Sequence, residues 1–199
     1  ANVLVVHPSM PAKTLAEFVK EAQTNPKGIA YGTSGVGSAG HLAGELFKIM
    51  AKVNLTHVPY KGGGPAMNDL LGGQVPSVFA SASTGVGQVR SGKIRALATT
   101  GPKRSSSLPE VPTIAESGYP GYEATNWYAY VAPAKTPREI ITRLNQDIVR
   151  ALTRTEVKEK FLNAGMEVVA SSPRALAAMV KSEMESLSKV IRETGIRED

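Results

Sequence analysis

Ile29-Ala30-Tyr31-Gly32-Thr33-Ser34-Gly35-Val36-Gly37-Ser38-Ala39-Gly40-His41 runs from a short apolar strand through a glycine-rich turn into a helical pattern. That pattern continues as Leu42, Leu46 and Ile49 with Ala43, Phe47 and Met50. A switch from strand period to helix period across a tight turn is the unit of an α/β layer. The same unit recurs around it. Val53–Val58 reads as a strand, Pro59-Tyr60-Lys61-Gly62 as its turn, and Pro65–Leu71 as a short helix stopping at Gly72-Gly73. Upstream, Val3–Val6 is a buried strand, and the capping box Thr14-Leu15-Ala16-Glu17 starts a helix running to Asn25. Downstream, Val75–Phe79 and Ile94–Thr99 are strands, with a helix over Thr84–Arg90 between them. The rhythm predicts a largely parallel sheet.

Gly35-Val36-Gly37-Ser38-Ala39-Gly40 fits G-x-G-x-x-G, follows a strand and opens a helix, as a dinucleotide fingerprint does. That reading also requires an acidic residue about 20 residues on. No Asp or Glu lies between Glu45 and Asp69, and the next strand ends Thr56-His57-Val58. The physics beneath the pattern is more general. Small residues admit a ligand close to the backbone, and N–H groups at a helix start favour an anion. The hydroxyls of Thr33, Ser34 and Ser38 add donors. A carboxylate is the natural guest, and a plain strand-to-helix turn capped by Ser38 is the alternative; composition does not separate the two. Neither serine sits in G-x-S-x-G, so a nucleophile elbow is absent. His7, His41 and His57 are widely spaced, without a metal-binding pattern. Two glycine turns after neighbouring parallel strands lie on one sheet edge, where open α/β sheets bind ligands. Lys61 reads as a cation for the ligand or as a solvated turn residue.

The second half has another texture. Residues 101–121 are rich in Pro, Ser and Gly and read as a long surface connection. Tyr122–Val131 alternates as a strand carrying Trp127, the single tryptophan, either where two lobes meet or as a core strand. Thr136-Pro137-Arg138-Glu139 opens a helix with the stripe Ile140, Leu144, Ile148 and Leu152. A helix over Thr155–Ala164 ends at Gly165, Met166–Val169 is a short strand, and Ser172-Pro173 opens a last helix to Glu193.

Composition bounds the rest. The 199 residues are 42% hydrophobic and 20% charged, an ordinary globular balance that excludes a disordered chain. The net charge of +6 suits an anionic ligand, but the basic residues are scattered, which argues against nucleic acid. Absence of cysteine excludes disulfides and thiolate chemistry. No stretch approaches the ~20 apolar residues of a membrane span, and the start carries no basic segment leading into an apolar run.

Taken in order, these segments resemble the substrate-binding proteins of tripartite tricarboxylate transporters, the Bug family. The likeness rests on Asn2–Val6 with Pro8-Ser9, Tyr31–Ser38 with His41–Glu45, and His57–Gly62. It continues through Asp69–Val75, Gly92–Ala98, Leu108–Glu116, Gly121–Glu123 with Trp127, Ala132-Pro133 and Thr136-Pro137. The resemblance implies a type II periplasmic binding protein-like α/β fold, with two lobes closing on a small organic acid that is passed to membrane permease subunits. It implies no enzyme activity, no cofactor and a periplasmic location. Residues 1–124 correspond to one complete α/β lobe. Residues 125–199 correspond to a return crossing strand and the C-terminal helices, part of the other lobe. The ligand contacts it implies are Thr33, Ser34, Gly35, Val36, Gly37, Ser38, His41, Tyr60, Lys61 and Trp127. The alternative is an α/β enzyme domain holding a nucleotide or acyl substrate on the Gly35–Gly40 loop. Family members begin with a further stretch carrying the other lobe's loops, so the chain reads as a C-terminal part. Where the family often has Asp, this chain has Pro76 and Ala80. Apolar stripes on the last helices, without a sheet to cover, lead to an expectation of self-association, with helix exchange as one route.

Overall fold

The computed structural model describes residues 1–197. Glu198 and Asp199, the end of the expected second segment, lie outside the described residues. Five strands form one sheet: β1 (Asn2–Val6), β2 (Ile29–Thr33), β3 (Leu55–Pro59), β4 (Ser77–Ser81) and β5 (Arg95–Thr99). Their order is β3-β2-β4-β1-β5. β2 pairs in parallel with β3 and β4, whereas β1 is antiparallel to both β4 and β5. Four strands therefore run one way. The expected largely parallel sheet is mixed, because β1 is inserted in reverse between β4 and β5. Periodicity cannot report this: β1 is buried on both faces and reads as one apolar run in either direction.

Helices cover the two faces in pairs. α1 (Leu15–Thr24) and α2 (Ala39–Ala51) supply Phe18 and Phe47 to a core with Leu4, Val6, Tyr31 and Phe79. α3 (Gly63–Leu71) and α4 (Ala82–Arg90) supply Met67, Leu70 and Val86 to the opposite core with Val3, Val5, Val78 and Ala80. Each large side chain so buried contributes about 1.5–3 kcal/mol. The helix starts follow the local chemistry. Thr14 Oγ1 accepts the Glu17 N–H at 3.2 Å, and Glu17 Oε2 accepts the Lys13 N–H at 2.6 Å, one residue before the position an ideal capping box uses.

The proline-rich segment after β5 is more than a surface connection. Leu108 and Val111 enter one core, and Ile114 and Tyr122 the other. Tyr122 Oη donates to the Ala43 carbonyl at 2.8 Å, tying the segment to α2.

α5 (Arg138–Leu152), α6 (Thr155–Asn163) and α7 (Pro173–Thr194) complete the chain. Ser172 caps α7 as read, accepting the Ala175 N–H. Thr136 does not cap α5. Its hydroxyl turns back to the Pro133 carbonyl, and Pro137 is the residue at the cap. The strands expected at Tyr122–Val131 and Met166–Val169 do not form. A strand needs a neighbouring backbone for its hydrogen bonds, and these segments instead border an open groove of about 1560 Å³ with α5 and α7. No residue of α5 or α6 is fully buried.

Close packing of α2 depends on two glycines. A Cβ on Gly40 would stand 2.5 Å from the Phe79 carbonyl oxygen of β4, and one on Gly44 would stand 2.4 Å from the Tyr31 ring. Gly40→Ala meets backbone that cannot rotate away, so the overpacking cost outweighs alanine's helix preference of about 1 kcal/mol. We expect a net loss of about 1–2 kcal/mol, read as a melting temperature lower by roughly 2–8 °C. An unchanged melting temperature would show that α2 can shift off the sheet at no cost.

Candidate functional site

β2, β3 and β4 run in the same direction, so the loops leaving them gather at one sheet edge. β2 leads through residues 34–38 to α2, β3 through residues 60–62 to α3, and β4 directly into α4. The first two loops are bonded to each other. The Tyr60 N–H donates to the Thr33 carbonyl and the Gly62 N–H to the Ser34 carbonyl, both at 3.1 Å. The Tyr60 ring lies over Gly32, where a Cβ would come within 3.1 Å of it. Its hydroxyl donates to Asp69 Oδ2 at 2.8 Å, and burial with that carboxylate pushes the phenol up to about 12. Tyr60 is thereby held as a neutral wall. Lys61 is exposed and has no partner among the described residues.

The loop at residues 33–38 is closed by its own hydrogen bonds. Thr33 Oγ1 donates to the Gly35 carbonyl at 3.1 Å and accepts the Gly35 N–H at 3.2 Å. Ser38 Oγ donates to the Gly35 carbonyl at 2.7 Å and accepts the His41 N–H at 3.3 Å, as the cap of α2. The Ser38 N–H also goes to Gly35, and the Gly37 N–H goes to His41 Nδ1 at 3.1 Å. Gly37 holds φ +71°, a conformation that suits glycine. Of the five N–H groups from Ser34 to Ser38, three are thus spent on the loop itself. Those of Ser34 and Val36 have no partner among the described residues, and both residues are exposed.

The ten expected contacts therefore separate. Ser34, Gly35, Val36, Gly37 and Ser38, with Tyr60 and Lys61, share the edge. Thr33 and His41 are buried beneath it, at 0% and 7% exposure, with their side chains bonded to the loop. Trp127 lies elsewhere. Its indole N–H donates to the Glu183 carboxylate of α7, and it lines the groove of α5 and α7. Pro76 and Ala80 serve the sheet: the Pro76 carbonyl accepts the His7 N–H, and Ala80 is buried opposite Val3.

Sequence reading missed the layer underneath. His57 of β3 stacks on His41 with ring centroids 3.7 Å apart and an 11° angle between planes. His57 Nε2 is 2.6 Å from Thr33 Oγ1. The buried Glu45 accepts from Tyr31 Oη at 2.7 Å and from Lys48 Nζ at 2.9 Å. Histidine spacing was informative only for metal ligation. Among the described residues no group of three or more His, Asp or Glu is placed to hold a metal ion. No described helix is long and apolar enough to cross a membrane.

The edge thus presents the N–H groups of Ser34 and Val36 beside a neutral tyrosine and an exposed lysine. Known proteins share this sequence pattern and fold. The family described as "Tripartite tricarboxylate transporter family receptor" matches residues 1–196. Protein BugT of Bordetella pertussis is 36% identical over 195 residues, covering 98% of this chain and 60% of its own length. The structure of R. palustris Rpa4515 with adipate superposes with a TM-score of 0.92 at 38% identity, covering 98% of this chain and 65% of that one. MatC from Rhodopseudomonas palustris with bound malate gives 0.83 at 28% identity, over 96% and 66%. The chain spans 56–60% of the length of the curated relatives that it matches first. On sequence and fold together, the chain belongs to the tripartite tricarboxylate transporter receptor family, a family of solute-binding receptors rather than enzymes.

Proposed function

We propose that this chain supplies one jaw of a receptor for a small organic carboxylate, whose oxygens dock on the N–H groups of Ser34 and Val36. The observation that carries the reading is the division of donors in the loop: three N–H groups fix its shape, and two on exposed residues are left over. Position at the start of the 13-residue α2 adds the favourable end of a helix dipole. Lys61 adds a mobile cation, and the Tyr60 ring an apolar wall beside the acid's carbon chain. The adipate and malate held by the two structural relatives are acids of this class. In this reading the loaded receptor works in the periplasm and delivers its acid to membrane permease subunits. The dinucleotide alternative gains nothing from the geometry, since β3 ends at Pro59 without the acidic residue a ribose would need.

A charge-assisted hydrogen bond is worth about 1.5–3 kcal/mol, or roughly ten- to a hundredfold in affinity. Val36→Pro removes one of the two leftover donors, and calorimetric titration with adipate should show a loss in that range. Unchanged affinity would refute the docking mode. Gly37→Pro is not a clean test: proline's φ near −65° cannot reach Gly37's +71°, so the loop itself would deform.

Self-association of the chain belongs to the same reading. Leu144, Met179 and Met184 face the open groove, and Tyr130 and Val131 at its border are 78% and 88% exposed. Apolar surface of this extent drives association in water. Light scattering should find species larger than a monomer, and the pair Leu144→Lys with Met184→Lys should shift them toward monomer. A wild-type chain that stays monomeric at tens of micromolar would exclude it.

A further inference from the structure

Two imidazoles occupy the space beneath the loop, and each holds a different part of it. We propose that His41 and His57 are positioning residues that, stacked and uncharged, lock the loop into the shape that leaves Ser34 and Val36 free, and that uptake of a proton by the pair unlocks it. Only its consequence for binding rests on the carboxylate reading; the lock is a property of the chain alone.

The hydrogen-bond pattern assigns the protons. His41 Nδ1 accepts the Gly37 N–H, so that nitrogen carries no hydrogen and its lone pair is in use. The Thr33 hydroxyl reaches both the Gly35 carbonyl and His57 Nε2; we assign its proton to the carbonyl, which leaves His57 Nε2–H as the donor to Thr33 Oγ1. A neutral His41 and a neutral His57 thus grip Gly37 and, through Thr33, Gly35. A proton reaching His41 can enter only at Nδ1, and it expels the Gly37 N–H. A proton reaching His57 enters at Nδ1 and sets a positive charge against a ring whose centroid is 3.7 Å away. The first event frees Gly37, and the second bears on Gly35 through Thr33.

The groups facing the pair come from two elements. α2 contributes Glu45, which favours protonation, and Lys48, which opposes it; β2 contributes Tyr31, whose ring packs on His57 at 5.2 Å and whose hydroxyl is bonded to Glu45. Burial outweighs the Glu45 carboxylate. It holds His41 below the ordinary histidine value, and, with His41 alongside, takes His57 down to about 4. The sign for stability follows. As pH falls below 6.5 the unfolded chain takes up the proton first, so the stability carried by the neutral His57 ring is lost between pH 6.5 and about 4.

The test is an NMR titration of the ligand-free chain from pH 7.5 to 4, following the histidine ring signals and the amides of Gly35 and Gly37. We expect those amides to move with the imidazole midpoint, below the ordinary histidine range. His41→Asn places a carbonyl oxygen near the position of Nδ1, so the Gly37 amide should keep its neutral-pH shift and lose its pH response. His41→Leu should lose both. Loop amides that stay flat while the imidazoles titrate would overturn the proposal, as would a Gly37 response retained in His41→Asn. Adipate added to the same samples separates the two readings. If adipate fails to bind while the amides still titrate, the carboxylate reading falls and the lock stands.

Discussion

Helix α2 lies against the sheet because two of its positions carry no side chain, and the ligand edge depends on that contact. Gly40 brings the first turn to within a Cβ's reach of the Phe79 carbonyl, and Gly44 lets the Tyr31 ring pass beneath the second. Raise the helix by the width of a methyl group and His41 leaves His57, Glu45 leaves Tyr31, and the Gly37 N–H loses its acceptor. The third glycine of the G-x-G-x-x-G pattern thus performs the packing task it has in nucleotide-binding folds, while no acidic residue follows to bind a ribose.

The edge so formed presents backbone N–H groups rather than a buried cation. No arginine or lysine is built into it; Lys61 stands exposed at its rim. Fixed amides need no reorganisation when an anion arrives, and the hydrogen bonds closing the loop meet the ordering cost during folding rather than at binding. In the carboxylate reading proposed above, such a surface would take the carboxylate group rather than a particular acid. The neutral Tyr60, held by Asp69, stands beside it as a fixed ring.

The C-terminal helices obey a different constraint. α7 packs on α2 and buries Val190, and Glu167 accepts from Ser106, so they are attached to the α/β unit. Yet α5 shows Leu144, Ile148 and Leu152 to an open groove, and the aromatic segment from Trp127 to Tyr130 runs along that groove without joining a sheet. An alternating sequence with no neighbouring backbone stays unpaired, because a strand is a property of two segments.

The sequence by itself determined the α/β alternation, the caps at Thr14 and Ser172, the two glycine loops, and the resemblance that led to the family. Each is set within a few residues, by period, by hydroxyl capping or by glycine's freedom. Tertiary structure alone decided the reversed place of β1, since a fully buried strand reads the same in both directions. It alone turned the proline-rich segment inward, and it alone left 122–131 and 166–169 unpaired. It also sorted the expected site, sending Thr33 and His41 below the loop and Trp127 to the groove, and bringing His57 to His41 across 16 residues of chain. Hydrogen-bond partners and stacking come from contacts between elements, and no spacing along one strand or helix encodes which face will meet which.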